Sequence, residues 1–215
     1  MKLKDKDKNK DCKWQSFFFD QIRMHKQYSP HGDYDHMGEV INLVNDFKVD
    51  NVIFNCGEYN NLENELINVL DKKHIEYYSC IKELNIDEYK LQFLNTVEYD
   101  NENDNSSVIY LNYNNYKFLF MGDASTTREK DILEKYNLNN IDVLKIGHHG
   151  SKTSSSGEFI NEMNPKYSII SVGKNNRYGY PNKEVLNVLE NSKIYRTDQN
   201  EIKMEVLCLK LKIIN

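Results

Sequence analysis

Hydrophobic residues recur along the chain with two different spacings, and these spacings predict alternating helices and strands. Val40 and Val44 fall at helical spacing and predict an amphipathic helix over residues 37–47. A short continuous apolar run over residues 49–56 predicts a buried strand. The further predicted helices cover residues 62–70, 129–136, 158–163 and 182–191, and the further predicted strands cover residues 75–80, 141–147, 167–173, 193–197 and 204–213.

A β-hairpin is predicted in the middle of the chain. Two runs rich in apolar and aromatic residues, 108–113 and 116–121, flank the turn residues Asn114 and Asn115. The chain has no internal repeat. The order of the elements predicts a layered α/β or mixed α+β domain.

Composition sets limits on the class of protein. The chain has 215 residues, 12 % of them aromatic, which argues against general disorder. No apolar stretch approaches the roughly 18 residues that a membrane-spanning helix needs. We expect a polar Lys/Asp-rich segment over residues 1–28 and one domain over residues 29–215, in the cytoplasm by default because no signal peptide is evident.

The four cysteines lie far apart in the sequence and form no C-x-x-C pair, so they predict neither a zinc site nor a disulfide framework. Cys56 and Cys80 each end an apolar run. Both are therefore expected to be buried free thiols.

Side chains of the metal-binding types collect in three predicted loops. They are His31, Asp33, Asp35 and His36 in the first loop, Asp123 in the second, and His148 and His149 in the third. Taken singly, each loop has an ordinary explanation, such as a helix N-cap or a turn. Together they predict a dinuclear metal site in which Asp123 is a natural bridging ligand. His25 and His74 have no such neighbours and are expected to be surface or packing residues.

The loop motifs resemble those of the metallo-β-lactamase superfamily. The segment SPHGDYDHMG at 29–38 resembles the signature H-x-H-x-D-H, with Asp33 in place of the second histidine. The later segments resemble the hydrolase domain of ComEC-type competence proteins. They are GD at 122–123, DVLKIGHHGSKTSSS at 142–156, IISVGKNNRYG at 169–179 and YRTD at 195–198. The resemblance implies a four-layer αββα sandwich with metals at one edge, incomplete at its N-terminal end because only thirty residues precede His31.

The resemblance also implies a set of ligands for two divalent metal ions, zinc or manganese. One ion would be bound by His31, Asp33 and His148, and the other by Asp35 and His36. Asp123 would lie between the two ions. His149 is a weaker ligand candidate that would face the substrate phosphate. The implied catalytic residues are Asp35, as acceptor of the proton from the attacking water, with His148 and His149.

The predicted substrate depends on local charge. Residues 145–183 contain six Lys or Arg and two Glu, a net charge of +4 in a chain whose net charge is −5. Phosphate backbones bind such surfaces through charge and hydroxyl contacts. We therefore expect a phosphodiesterase or nuclease that acts on DNA, single-stranded DNA included, or on another phosphodiester. The residues expected to contact the substrate are Ser151, Lys152, Ser154, Lys174, Arg177 and Tyr180.

Two departures from the family pattern leave an alternative open. Tyr180 stands where the family's Tyr-Gly-His-Pro has histidine, and the sequence predicts that the family's first strands are absent. The alternative is a truncated or decayed copy that acts at most as a binding module, whereas a β-lactamase or thioesterase fits the basic region less well. An exposed inner sheet face would favour a homodimer. If the chain is part of a larger membrane protein, its location is extracytoplasmic.

Overall fold

Strands and helices alternate through the part of the chain that a computed structural model describes, residues 15–17, 26–28, 34–86, 89–94, 97–207 and 210–214. The strands are β1 (Gln15–Phe17), β2 (Lys26–Tyr28), β3 (Asn51–Phe54), β4 (Glu76–Ser79), β5 (Glu83–Ile86), β6 (Tyr89–Leu94), β7 (Val108–Tyr113), β8 (Tyr116–Phe120), β9 (Val143–Lys145), β10 (Tyr167–Ile170), β11 (Lys193–Arg196), β12 (Lys203–Leu207) and β13 (Lys210–Ile214). The helices are α1 (Tyr34–Met37), α2 (Val40–Asp46), α3 (Asn61–Lys73), α4 (Thr126–Lys135), α5 (Gly157–Met163) and α6 (Lys183–Val188). Two 3₁₀ helices cover Glu102–Asn105 and Gly147–Gly150.

The largest sheet has seven strands in the order β11-β10-β9-β8-β7-β6-β5. Strands β8 to β11 pair in parallel, and β5 to β8 pair antiparallel. The predicted hairpin is β7–β8, and both residues of its turn, Asn114 and Asn115, have left-handed φ angles of 50° and 65°. Two-residue hairpin loops favour such angles because they match the twist of the strands, and Asn tolerates them well.

Two smaller sheets lie against the seven-stranded sheet. One contains the parallel strands β2-β3-β4, and the other contains the antiparallel strands β1-β12-β13. Ile53 of β3 and Met204 of β12 share a buried cluster with side chains of β6 to β11. These smaller sheets therefore cover the inner face of the large one.

Helices form the two outer layers. Helices α4, α5 and α6 pack on one face of the seven-stranded sheet through a cluster that includes Ile132, Phe159 and Val185. Helices α1, α2 and α3 pack on the other side against Val52 and Phe54 of β3. The order of layers is helices, large sheet, small sheets, helices, which confirms the predicted αββα sandwich.

The expectation of an exposed inner face is wrong for this chain. Leu111, Phe118, Val143 and Ile169 point from the large sheet toward the small sheets, and all four are buried. Their burial removes the reason given for a homodimer, and the oligomeric state stays a prediction.

Most predicted elements are confirmed, and several details are corrected. The region 204–213 is not one strand but the hairpin β12–β13, and the helix predicted over 37–47 is divided into α1 and α2. Strands β5 and β6 were not predicted, and neither were β1 and β2, which lie in the segment 1–28.

The prediction for the cysteines is also wrong. Cys56 and Cys80 form a disulfide, with Cα atoms 4.4 Å apart, that joins the chain just after β3 and β4. Because β3 and β4 are parallel neighbours, their carboxyl ends bring the two thiols together, which the sequence separation of 24 does not reveal. Cys56 is buried, whereas Cys80 is exposed.

Among the described residues, none of the helices combines the length and the apolar character that spanning a bilayer requires.

Candidate metal centre

The predicted site loops meet at one edge of the sheets. Asp123 follows β8, and His148 and His149 follow β9, its parallel neighbour. His36 lies in α1, which comes between β2 and β3 in the sequence. Loops at the carboxyl ends of parallel strands emerge at the same edge of a sheet, which is where α/β proteins bind ligands.

Three imidazole rings face the carboxylate of Asp123. Its Oδ2 lies 3.4 Å from Nε2 of His36, 3.8 Å from Nε2 of His149 and 3.9 Å from Nε2 of His148. Ligand atoms of His36, Asp123 and His149 all lie within 4.8 Å of one another. The rings of His36 and His149 are stacked, with their centroids 5.6 Å apart. The carboxylate is therefore the centre of the group.

The backbone around Asp123 is fixed by side chains from the loop before β7. Asp123 is only 4 % exposed, and its backbone N–H donates to the hydroxyl of Ser106 at 3.0 Å. The N–H of Ser125 donates to the buried carboxylate of Asp104 at 2.9 Å. Ser125 then caps α4 by accepting from the N–H of Thr127. This network holds the turn that presents the Asp123 carboxylate.

The two adjacent histidines have an unusual backbone. His148 and His149 have φ angles of 44° and 55°, in the left-handed region that non-glycine residues seldom adopt, and Gly150 follows with φ 81°. A side chain at position 150 would place its Cβ 2.6 Å from that of Pro181, so glycine is required there. Strain of this kind often occurs at functional sites, where the surroundings maintain it. Here the N–H of His148 donates to the carbonyl of Gly122 at 3.0 Å, which ties the histidine loop to the Asp123 turn.

Hydrogen bonds at Nδ1 orient both rings. Nδ1 of His149 lies 2.9 Å from the carbonyl oxygen of Ser171, just after β10. Since a carbonyl only accepts, His149 carries its proton on Nδ1 and has the lone pair of Nε2 on the side of Asp123, where it could bind a metal. Nδ1 of His148 lies 3.3 Å from the hydroxyl of Thr153.

The Thr197 hydroxyl fixes the residues just after β10. It accepts from the N–H of Val172 at 2.7 Å and donates to the carbonyl of Val172 at 2.9 Å.

A buried carboxylate anchors the serine-rich loop that follows the histidines. Glu129 of α4 accepts from the backbone N–H groups of Ser155 and Ser156, the second at 2.9 Å. Burial raises the pKa of the Glu129 carboxyl above its ordinary value, and the two backbone donors oppose that shift. The loop is also joined to α4 by the N–H of Thr126, which donates to the carbonyl of Thr153 at 2.9 Å.

The structure brings together four of the seven predicted metal-site residues around Asp123, and it does not place the other three in this group. The four are His36, Asp123, His148 and His149. His31 and Asp33 lie outside the described residues. Asp35 precedes His36 in α1, where only its backbone is described. The sequence ranked His149 below His148 as a ligand, yet His149 belongs to the tight group around Asp123.

Tyr180 is the predicted substrate contact that lies next to this group, and the predicted cationic contacts lie on the loops that follow β9 and β10. Tyr180 places its ring 5.9 Å from that of His148 and 5.5 Å from the stacked ring of Tyr178, which is 60 % exposed. The guanidinium of Arg177 lies 4.8 Å from the centre of the Tyr178 ring. Lys152 and Lys174 are exposed on the two adjoining loops. These loops are joined because Asn182 accepts from the N–H of Lys152 and donates its own N–H to the carbonyl of Gly150.

Ser151 and Ser154 have a different placement. Both are 3 % exposed. The Ser154 hydroxyl donates within the loop, to the carbonyls of Gly147 and Ser151, at 2.9 Å and 3.0 Å. The Ser151 hydroxyl lies 3.0 Å from that of Thr153. Substrate contact by these two serines stays a prediction, and the structure gives their hydroxyl groups partners inside the loop.

Sequence reasoning missed the residues that support the site. Two of them bond to the site histidines, namely Thr153 through its hydroxyl and Ser171 through its carbonyl. The others fix the surrounding loops, and they are Asp104, Ser106, Glu129 and Thr197. Thr197 and Ser171 lie in segments that carried the family resemblance, so their motifs were a usable signal. Asp104 lies in an acidic, Asn-rich loop, and nothing in that composition points to the site.

The group around Asp123 fits a divalent metal. Its nitrogen–oxygen separations of 3.4–3.9 Å are longer than ordinary hydrogen bonds of about 2.7–3.2 Å. They are close to the distance between two ligands of one ion, because ligands about 2.1 Å from a tetrahedral zinc lie about 3.4 Å apart. Imidazole and carboxylate donors also suit zinc and manganese.

The comparison with protein families identifies the chain. Residues 31–174 match the model described as the Metallo-beta-lactamase superfamily. The chain belongs to this superfamily. Because its members are metal-dependent hydrolases, the group around Asp123 is the candidate metal centre of a metallo-beta-lactamase-type hydrolase domain.

Relatives of the chain include a ComE operon protein and a competence protein. The chain is 32 % identical to ComE operon protein 3 of Bacillus subtilis (strain 168) over 177 residues, which is 79 % of this chain and 23 % of that protein. It is 38 % identical to Competence protein ComA of Neisseria gonorrhoeae over 112 residues, 50 % of this chain and 16 % of that protein. The matches thus cover less than a quarter of the length of these relatives.

Solved structures share the metallo-beta-lactamase fold at low sequence identity. A mutant of CmlA beta-hydroxylase has a TM-score of 0.54 at 11 % identity, covering 80 % of this chain and 42 % of that one. Tm1679, a metal-dependent hydrolase of the beta-lactamase superfamily, has a TM-score of 0.51 at 15 % identity, covering 84 % and 78 %. These likenesses agree with the four-layer architecture.

Proposed function

We propose that this domain is a phosphodiesterase that cleaves DNA at a site for two divalent metal ions, manganese or zinc. The observation that carries the proposal is the convergence of three imidazole Nε2 atoms on the buried carboxylate of Asp123, next to loops that carry exposed cationic and aromatic side chains. The similarity to competence proteins supports DNA as the substrate.

The ligands of the site come from both sides of the sheet edge. His36, Asp123, His148 and His149 would hold the ions, together with the predicted ligands His31, Asp33 and Asp35. Bound divalent ions lower the pKa of water toward neutrality and stabilise the charge that develops on phosphoryl oxygens. Of the protein's own groups, Asp35 is proposed to accept the proton of the attacking water.

The chain's cationic residues would position the substrate. Lys152, Lys174 and Arg177 are exposed on the two loops beside the histidines, and they would attract a phosphate backbone without reading its sequence. Tyr180, next to the His148 ring, would donate a hydrogen bond from its hydroxyl to the phosphodiester. These side chains favour a substrate with several phosphate groups along a backbone over a β-lactam or a thioester.

The disulfide bears on the proposed location of the domain. Disulfides persist in oxidising compartments and are rare in the cytoplasm. The bond between Cys56 and Cys80 therefore supports an extracytoplasmic location rather than the cytoplasmic default, and we include this location in the proposal.

The test is metal-dependent hydrolysis by the purified chain. We expect manganese- or zinc-loaded protein to cleave single-stranded DNA and bis-p-nitrophenyl phosphate, and to lose this activity after chelation. A β-lactam and a thioester, assayed with the same preparation, should remain intact. Hydrolysis of either of these two in the absence of phosphodiester cleavage would overturn the proposal.

One observation favours the non-catalytic alternative. Tyr180 occupies the place where the family pattern has histidine, and it lies beside His148. A chain that binds metal and DNA but cleaves no phosphodiester would fit a binding module, and the variant Tyr180→His discussed below tests that possibility.

A further inference from the structure

The two site histidines of the β9 loop are oriented by partners of different chemistry. Nδ1 of His149 faces the carbonyl of Ser171, which can only accept a hydrogen bond. Nδ1 of His148 faces the hydroxyl of Thr153, which can either donate or accept. The tautomer of His148 therefore depends on the direction in which the Thr153 hydroxyl points.

A neighbouring hydroxyl gives Thr153 an acceptor for its own proton. Oγ of Ser151 lies 3.0 Å from Oγ1 of Thr153 and also accepts from the backbone N–H of Thr153 at 3.3 Å. If the Thr153 hydroxyl donates to Ser151, its lone pairs face Nδ1 of His148. The His148 ring then donates from Nδ1 and keeps the lone pair of Nε2 on the side of Asp123, 3.9 Å away.

We propose that Thr153 is a positioning residue that holds His148 in the tautomer protonated on Nδ1. The inference rests on the proposed function in one respect, which is that Nε2 of His148 serves as a metal ligand. Partners of this kind orient a metal-binding histidine and increase its basicity, and their loss commonly reduces metal affinity about 10- to 100-fold.

The backbone of Thr153 is well placed for this role. Its carbonyl accepts from the N–H of Thr126 in the first turn of α4, and the buried Ser154 next to it donates to the carbonyl of Gly147. The threonine is thus fixed to the same helix that follows the Asp123 turn. Its side chain is exposed, so substitution there removes a hydroxyl without opening a cavity in the core.

Three variants separate the hydroxyl from the shape of the side chain. Thr153→Val has a similar shape without the hydroxyl, Thr153→Ser keeps the hydroxyl, and Thr127→Val is a control at an exposed threonine of α4. The first measurement is nitrogen-15 NMR of the imidazoles in metal-free protein at about pH 8, where unperturbed imidazole is neutral. The second is the affinity for Mn²⁺ or Zn²⁺ by competition with a chelator.

We expect His148 to carry its proton on Nδ1 in the wild type, the Thr153→Ser variant and the Thr127→Val control. In Thr153→Val the Nε2-protonated form should appear, and metal affinity should fall about 10- to 100-fold. A folded Thr153→Val protein with the wild-type tautomer and metal affinity within about twofold of the wild type would overturn the inference.

The two measurements also separate this inference from the proposed function. If the wild type binds no metal, the proposed function fails, and so does the part of the inference that makes Nε2 of His148 a metal ligand. If the wild type binds metal and Thr153→Val alters neither the tautomer nor the affinity, the inference alone is overturned.

Discussion

The two sides of the candidate metal centre are built in different ways. On the side of the seven-stranded sheet, Asp123, His148 and His149 follow neighbouring strands, and hydrogen bonds from surrounding residues orient each of them. On the other side, His36 lies in α1, a helix of four residues, and meets the rest of the site through Asp123 and the ring of His149.

This contrast predicts how a bound metal would affect the site. The first side has its geometry set by the protein, in part by a strained backbone at two consecutive histidines. The second side reaches the first through contacts between the ligands themselves. Bound metal would therefore fix the position of His36 relative to Asp123, His148 and His149 more than it would fix those three residues relative to one another.

The largest effect is expected where the two sides meet. Asp123→Asn removes a negative charge that faces three imidazoles, so both sides would lose the proposed shared ligand. Phosphodiester hydrolysis should fall at least about a thousandfold, because a metal ion supplies several kcal/mol of transition-state stabilisation and each 1.36 kcal/mol is about tenfold in rate. Steady-state kinetics at saturating metal measures the loss. Asp50→Asn, at an exposed carboxylate, is the control, and equal rates for the two variants would refute a central role for Asp123.

The disulfide stabilises the side of the molecule that carries α1. Cys56 and Cys80 close a loop that includes α3 and β4, and the chain-entropy model gives about 3.5 kcal/mol for a loop of this length. The double variant Cys56→Ser, Cys80→Ser should lower the free energy of unfolding by about that amount in urea titrations. The single variant Cys56→Ser should lose as much as the double variant. An unchanged free energy of unfolding in the double variant would show that the bond contributes nothing.

Tyr180 tests whether the well-anchored side is also catalytically complete. Imidazole exchanges protons near neutral pH and a phenol does not, and general acid–base catalysis is worth about 10²–10⁴-fold. Tyr180→His should therefore raise metal-dependent cleavage of single-stranded DNA or bis-p-nitrophenyl phosphate at least about tenfold.

The gain from Tyr180→His should vanish when Asp35→Asn and His148→Ala are added. Tyr178→His, at the exposed neighbouring ring, is the matched control and should give no gain. An active wild type whose rate Tyr180→His leaves unchanged would assign position 180 a structural role.

The smallest expected effect concerns the buried carboxylate that supports the serine-rich loop. Burial raises the pKa of Glu129 in the folded state, so the folded state binds this proton more tightly than the unfolded state does. Its contribution to stability is full at low pH and is lost as pH rises through the folded-state pKa. The free energy of unfolding of the wild type minus that of Glu129→Gln should therefore decrease from about pH 4 to about pH 8. A difference that is constant with pH, as expected for the exposed control Glu134→Gln, would contradict this account.

The same contrast explains how far the sequence could predict the structure. Apolar periodicity located most elements, because burial of one face of a helix or strand leaves a regular pattern in the sequence. Strand β3 is an example, since Ile53 faces the large sheet whereas Val52 and Phe54 face the helices. Motifs located Asp123, His148 and His149. Except for the β7–β8 hairpin, whose turn residues predicted it, contacts between strands were not predictable, because single-sequence patterns do not say which strands far apart in the chain become neighbours.

Three details show that limit. The disulfide of Cys56 depends on β3 and β4 being parallel neighbours. The predicted hairpin β7–β8 brings its two flanking loops together, but the hairpin pattern does not say that the Asp123 N–H bonds to Ser106. The burial of the large sheet's inner face depends on β12, a strand that is far along the chain from β6 and β7.

The measurement that tests the central claim most directly is the metal content of the purified chain after exhaustive dialysis. Elemental analysis should give close to two equivalents of manganese or zinc for the wild type and for the control His74→Ala. His74 is the C-cap of α3 and is not part of the group around Asp123. His36→Ala, which removes the ligand on the less anchored side, should bind clearly fewer. A folded wild-type chain that retains no divalent metal, or a His36→Ala variant with the wild-type content, would contradict the account.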